Sequence, residues 1–236
     1  MIKKVENNYL PSMLREDIEW LNFWWARANK NSIRRYLLIG DSISRRYRDA
    51  LEKELDMPVD YLGTSSLLLD ELFLKEIEGF FNWGGVDLYS AIQVQIGYHG
   101  INEIGVETDK KFYALYKEQY SNLIKYLLKK TEKLVLASTT PVIHNYHSFS
   151  NRYLKYIIGN LHPLFMEHVN EHVDRELIVR NQIVRDLAQD FDLTFNDLYL
   201  YMKNEGKKYR HVDDVHYEHK SDAFIAKKVA YYMMNN

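Results

Sequence analysis

Two short segments at opposite ends of this chain carry residue types that could act together on an acyl group. The first is Gly40-Asp41-Ser42, which follows the apolar run Tyr36-Leu37-Leu38-Ile39. A serine at the start of a helix has backbone N–H groups and the positive end of the helix dipole close to its hydroxyl, which suits an oxyanion that develops during acyl transfer. The second is Asp213-Asp214-Val215-His216, a carboxylate three residues before a histidine and ahead of the last helical stretch. A serine hydroxyl is a poor nucleophile at neutral pH until a base takes its proton, and an imidazole does this best when a carboxylate holds its tautomer. Ser42, His216 and Asp213 could supply nucleophile, base and orienting acid. Each segment also has a plainer reading: Asp41 or Ser42 as a helix N-cap, a role both types favour, and His216 as a solvated loop histidine. A third pattern, His168-Val169-Asn170-Glu171-His172, fits H-x-x-E-H, which on a helix would aim His168 and His172 at a zinc ion with Glu171 as base. Such a site needs a third protein ligand, with Glu176 nearby, and no second motif supports it.

Residues so far apart in sequence meet only if the elements between them place them at one rim. Short apolar runs at 36–39, 59–62, 91–96, 134–137 and 193–195 read as buried strands, and between them apolar residues recur at helical spacing. Tyr47, Leu51 and Leu55 share one face; so do Phe112, Leu115, Tyr116, Leu123, Ile124 and Leu127; then Leu177, Val184, Leu187 and Phe191; and finally Phe224, Ile225, Val229 and Tyr232. Alternating strands and helices predict a parallel sheet covered by helices on both faces. In such sheets ligands bind outside the carboxyl ends of the strands, which is where Ser42 falls. No linker or repeat interrupts the chain, so residues 1–236 form one domain. Residues 1–33 are an extension in which Trp20, Phe23, Trp24 and Trp25 crowd an expected helix, with Trp20 and Trp24 one turn apart on a common face. That face either packs on the domain or serves as a sugar-stacking or partner surface.

Composition narrows the chemistry. Thirty-one Lys and Arg against 33 Asp and Glu leave a net charge of −2, without the basic excess a nucleic-acid binder uses. There is no cysteine, which excludes disulfides, a thiol nucleophile and thiolate metal sites. No apolar run approaches the ~20 residues needed to span a bilayer, so no membrane partner is expected. The first residues, MIKKVENNYLPSMLRED, lack the apolar core of a signal peptide, so a cytoplasmic location is expected unless a leader has been removed.

Taken together, the segments resemble the SGNH (GDSL-type) hydrolases, a family of esterases and lipases. RRYLLIGDSIS is similar to the family's first block, with Ser42 as nucleophile and Asp41 beside it; Asp213 and His216 match its final Asp-x-x-His; KLVLASTTPV and RNQIVRDLAQDFDLTFNDLY are similar to the segments between. The resemblance covers nearly the whole chain after Arg34. It implies a three-layer α/β/α sandwich, flavodoxin-like, with a five-stranded parallel sheet. The implied activity is hydrolysis of short acyl esters, acetyl foremost, through an acyl-enzyme and without metal or organic cofactor. The middle blocks depart from the family's pattern. In YLGTSSLLLD, Ser66 stands near the usual oxyanion glycine and Gly63 comes earlier. In QIGYHGINE, Gly97-Tyr98-His99 resembles the branch with Gly-x-His, whereas Gly100-Ile101-Asn102 keeps the asparagine three residues later. The resemblance thus implies Ser42, Ser66 and His99 as oxyanion donors, with Gly63 and Asn102 as alternatives and Gly97 supporting. Nineteen tyrosines and the Trp-rich start suit a carbohydrate ester. Acyl transfer to a sugar, or carbohydrate binding without catalysis, would use the same fold. No feature of the sequence sets an oligomeric state.

Overall fold

The computed structural model describes residues 2, 19–30, 34–101, 110–142, 163–209 and 215–235, with the backbone alone over 163–171. Six strands form one sheet in the order β1-β3-β2-β4-β5-β6: β1 (Leu21–Trp24), β2 (Tyr36–Gly40), β3 (Val59–Thr64), β4 (Ala91–Gln95), β5 (Leu134–Ala137) and β6 (Thr194–Asn196). β1 pairs antiparallel with β3, and every other pairing is parallel. The helices are α1 (Ser42–Leu55), α2 (Glu71–Gly84), α3 (Lys110–Leu127), α4 (Pro163–Asp190), α5 (Leu198–Glu205) and α6 (Lys220–Met234).

Alternation along each strand sorts its side chains between two cores. Leu37 and Ile39 of β2 join Leu62, Ile92, Val94 and Leu136 beneath α2, α3 and α4. Leu38 faces the other way, with Tyr61 and Ala137, against Tyr47 and Leu51 of α1 and Ile225 and Val229 of α6. The result is the expected α/β/α sandwich. α1 and α6 pack against each other on this second face, so a residue just before α6 can meet one at the start of α1. Arg46 of α1 reaches Asp222 of α6 at 3.8 Å, which ties the pair near that end. Among the described residues no helix is long and apolar enough to cross a membrane.

The expected helix around Trp20 is not what forms: residues 21–24 are an edge strand, making six strands instead of five. A spacing of four is both even and close to 3.6, so Trp20 and Trp24 share a face in either conformation and could not discriminate between them. What decides it is the open edge of β3, whose backbone groups need partners. The strand continues one residue past its assigned end, with Trp20 N–H donating to Ser65 Oγ at 2.8 Å and Ser65 N–H to Trp20 O at 3.1 Å. Phe23 and Trp25 then pack on Phe80 of α2, with ring centroids 5.3 and 5.1 Å away.

The amino end of the sheet is held by a buried ion pair. Arg35 Nε and Nη2 donate to the two carboxylate oxygens of Asp60 at 2.9 and 2.6 Å, and Tyr89 Oη and the Ala26 N–H donate to the same carboxylate, each at 2.9 Å. The second Arg35 nitrogen also donates to Ala26 O. Removing one partner of such a pair strands the other's charge in the interior. Arg35→Met should therefore cost about 3–5 kcal/mol in urea unfolding. Arg34→Met, which breaks an exposed 2.8 Å pair with Glu132, should change stability by no more than about 1 kcal/mol.

Candidate active site

The parallel register brings Gly40 of β2 level with Gly63 of β3 and Gln95 of β4, so three strands end at one rim. At Gly40 a Cβ would lie 2.4 Å from Ser44 Oγ and 2.7 Å from Gln95 O, which only glycine avoids. α1 can consequently start immediately against the sheet. Asp41 is its N-cap: Oδ1 accepts the Ile43 N–H at 2.9 Å. The Asp41 carbonyl accepts from Ser44 Oγ at 2.8 Å and from Tyr61 Oη at 2.6 Å, locking the elbow from the helix and from β3. The capping role of Asp41 is thus real, and it sets the position of Ser42 at the first turn of the helix.

Ser42 Oγ lies 2.7 Å from His216 Nε2 across 174 residues of sequence. In the tautomer that carries the ring proton on Nδ1, the serine hydroxyl donates to Nε2. His216 is fixed by its neighbours: Tyr217 is buried in the second core, and the junction to α6 is held by Ser221 Oγ donating to Glu218 O at 2.8 Å. Asp213, Asn102, His168 and Glu171 all fall outside the described side chains. Of the H-x-x-E-H pattern only His172 is described, and it is 4% exposed. Among the described residues no three metal-ligating groups converge, and the nearby Glu176 accepts Tyr113 Oη at 2.7 Å.

Beside Asp41, the residue before the serine, the structure gathers Thr64, Ser66, Gly97 and His99 with Leu67, Leu68, Ile96 and Tyr116 about a narrow cavity of about 10 Å³. Burial pushes the Asp41 carboxyl above its ordinary value, and the imidazoles of His99 and His216 oppose that shift. His99 follows β4 in the turn 97–100, where Gly97 (φ 148°) and Gly100 (φ 69°) occupy backbone conformations that favour glycine. Ser66 is at the rim, but its N–H donates to Thr64 Oγ1 at 2.9 Å and its hydroxyl to Glu76 Oε1 at 3.2 Å. Both of its donors are committed inside the protein. Gly63 lies within β3, paired on both sides, where a Cβ would meet Tyr61 Oη at 2.1 Å. Its absent side chain makes room for packing and does not face the site.

Glu76 and Arg180 went unnoticed as site residues in the sequence, whereas Trp20, read there as part of a packing, sugar-stacking or partner face, lies beside His99. Trp20, placed by β1 at the carboxyl end of β3, meets His99 edge-on with centroids 6.3 Å apart, and the Arg45 guanidinium lies 5.4 Å above its ring. Glu76 of α2 accepts Thr64 Oγ1 at 2.7 Å. Arg180 of α4 is 1% exposed; its position on the Leu177-Val184-Leu187 stripe, a cation among inward-facing residues, was the available signal.

No protein-family model matches this sequence, and no curated protein does. Solved structures do. A lipase/acylhydrolase from Enterococcus faecalis superposes with a TM-score of 0.54 at 14% identity, covering 84% of this chain and 94% of that one. An acetylxylan esterase from Geobacillus stearothermophilus gives 0.54 at 12% identity over 86% and 95%. A candidate SGNH hydrolase from Slackia heliotrinireducens gives 0.53 at 16% identity over 86% and 100%. The fold is that of the SGNH hydrolases. The expected architecture is therefore present among the described residues, with the antiparallel β1 added at one edge.

Burial raises the Glu76 carboxyl, the hydrogen bonds from Thr64 and Ser66 partly offset this, and Glu19 adds to it. A carboxyl whose folded-state value lies above its unfolded one favours folding below the unfolded value and loses that contribution as pH rises through the folded one. Thermal unfolding of Glu76→Gln and wild type in parallel should therefore show their difference moving in favour of the variant as pH rises from 4 upward.

Proposed function

We propose that this protein is a serine esterase acting on short acyl esters, with Ser42 as nucleophile and His216 as base. The 2.7 Å contact between Ser42 Oγ and His216 Nε2 carries the reading. A hydroxyl at a helix N-terminus, in hydrogen-bonding reach of an imidazole delivered from the other end of the chain, is the minimum equipment for acyl transfer. His216 accepts the serine proton as Oγ bonds to the ester carbonyl carbon. The carbonyl oxygen becomes an oxyanion, received by the Ser42 N–H and by His99. Collapse expels the alcohol, which leaves with the proton from His216. Water, deprotonated by the same imidazole, then releases the acid from the acyl-enzyme. Asp213, three residues before His216, is assigned to hold the Nδ1 proton. Ser66 joins the oxyanion donors only by exchanging Thr64 Oγ1 for the oxyanion.

Two features favour a small acyl group on a carbohydrate. The cavity lined by Asp41, Ser66 and His99 is narrow, about 10 Å³, which favours a small group over an alkyl chain. Trp20 offers a half-buried ring beside His99, suited to the apolar face of a pyranose. Among the structures of this fold are acetylxylan esterases, which fits such a substrate.

A panel of acyl esters, from p-nitrophenyl acetate to acetylated oligosaccharides, tests the reading. Ser42→Ala should lower kcat by at least about a thousandfold; unchanged turnover would remove Ser42 from its role. A folded wild type inactive on every ester would favour carbohydrate binding without catalysis. His99→Ala should cost about a hundredfold in kcat, as loss of one oxyanion donor does, and a larger loss in Asn102→Ala would transfer that role.

The sugar-facing role of Trp20 has its own signature. With acetylated oligosaccharides, Trp20→Ala should raise KM by about tenfold, in line with roughly 1.4 kcal/mol from one aromatic platform, while kcat changes less. Equal loss in kcat with KM unchanged would remove Trp20 from substrate binding.

A further inference from the structure

The loop after β4 carries His99 between two glycines in conformations that the chain has no intrinsic reason to hold. A single buried cation grips this loop. Arg180 Nη1 donates to the carbonyls of Gly97 and His99, both at 2.8 Å, and Nη2 donates to the carbonyl of Gly100 at 3.0 Å. The guanidinium carbon lies 5.2 Å from the ring centre of Phe112 and 5.5 Å from that of Tyr116, both on α3. Glu176, one turn earlier on α4, directs Oε1 to Tyr113 at 2.7 Å. The hydrogen-bond acceptors of Arg180 among the described residues are therefore loop carbonyls, with aromatic faces completing its surroundings.

We propose that Arg180 is a positioning residue, whose guanidinium holds the loop 97–100 in the shape that presents His99 to the cavity beside Asp41. Three observations converge on it. The hydrogen bonds fall on both sides of His99 and on His99 itself. The loop's two positive-φ glycines give it alternatives that must be suppressed. The cation is drawn from the inward stripe of α4, where Leu177 is fully buried and Val184 nearly so, so the helix that carries it is itself fixed by the core. The planar fork of arginine is what allows one side chain to span three carbonyls; a lysine ammonium is a point charge that cannot reproduce that spread. The assignment rests on the esterase reading only for the catalytic meaning of His99, since the grip on the loop is independent of it.

Arg180→Lys and Arg180→Met separate this role from bulk stability through two measurements. In hydrogen exchange followed by mass spectrometry, peptides covering 97–101 should exchange about tenfold faster or more in Arg180→Lys, with the protection of β2 and β4 retained. In steady-state kinetics with p-nitrophenyl acetate, kcat should fall about 10- to 100-fold with KM nearly constant, the cost of a misplaced group without lost binding. In a His99→Ala background the same substitution should cost no more than about threefold, because the group being positioned is gone. Unchanged exchange in the loop would overturn the proposal, and so would losses that multiply fully in the double variant. If Arg180→Met does not fold, Arg180→Lys carries the comparison. An inactive wild type would refute the esterase reading, and the exchange result would then decide on Arg180 alone.

Discussion

The geometry of the rim depends on the absence of a side chain at Gly40. Strand β2 ends there with Ser44 Oγ and the Gln95 carbonyl pressed against the space where a Cβ would be. An alanine would push the first turn of α1 outward, away from β4 and from the hydroxyl of Tyr61 that holds the Asp41 carbonyl. Ser42 sits two residues on, with no freedom left to compensate. The 2.7 Å approach of His216 is built against that fixed point. The packing of α1 on α6 brings the histidine near, and the hydrogen-bonded turn before α6 aims it. A serine–histidine contact across 174 residues thus reduces to two helices in contact and one glycine.

The edge strand extends this logic to the β3 side of the rim. β3 would otherwise present an unpaired edge, and β1 closes it in antiparallel register with Leu21 opposite Thr64. Antiparallel pairing runs the added strand back toward the rim, so its amino end and not its carboxyl end arrives beside the site. This is why Trp20 meets His99, while Trp24, four residues on, lies half-exposed under the Arg48 guanidinium at 4.9 Å. At the opposite end of the sheet, the Arg35–Asp60 pair and its bond to Ala26 pin the turn that follows β1. The same strand is therefore anchored by charge at one end and by the N–H and hydroxyl of Ser65 at the other.

Much of the fold was legible because it obeys one period at a time. The five parallel strands have short, doubly buried apolar runs, and the helices that cover them keep clean inward faces. β1 was misread because Trp20 and Trp24 are compatible with both periods, and its strand character comes from a partner edge about forty residues away in sequence. Within the site, the meeting of Ser42 and His216 was legible because a hydroxyl and an imidazole at element boundaries are recognisable residue types. Ser66 was harder. Its place at the rim followed from the order of the blocks, but the direction of its N–H is set by Thr64 Oγ1, two residues earlier, and no pattern of residue types encodes that choice. Arg180 was overlooked although a charged residue on an apolar stripe is a visible anomaly; its partners are backbone carbonyls, which leave no trace in a sequence.

The distribution of buried polarity shows where the molecule gives up stability for placement. Away from the rim the interior is apolar, apart from such features as the Arg35–Asp60 pair and the Tyr47-Gln93-Gln95 contacts beneath α1. At the rim, Asp41, Glu76 and Arg180 are all buried. Burial raises both carboxyls and lowers the guanidinium, so each is held where its charged form is disfavoured. A core built for stability alone would replace such groups with hydrocarbon of similar size. Their common property is what they hold: Asp41 caps the helix of Ser42, Glu76 anchors the Thr64–Ser66 turn, and Arg180 grips the loop of His99. Hydrocarbon packing fixes position only to within what sliding contacts permit, whereas hydrogen bonds from charged groups fix direction as well. The three segments they hold meet at one rim, and the need to fix direction there accounts for buried ionisable groups clustering behind Ser42.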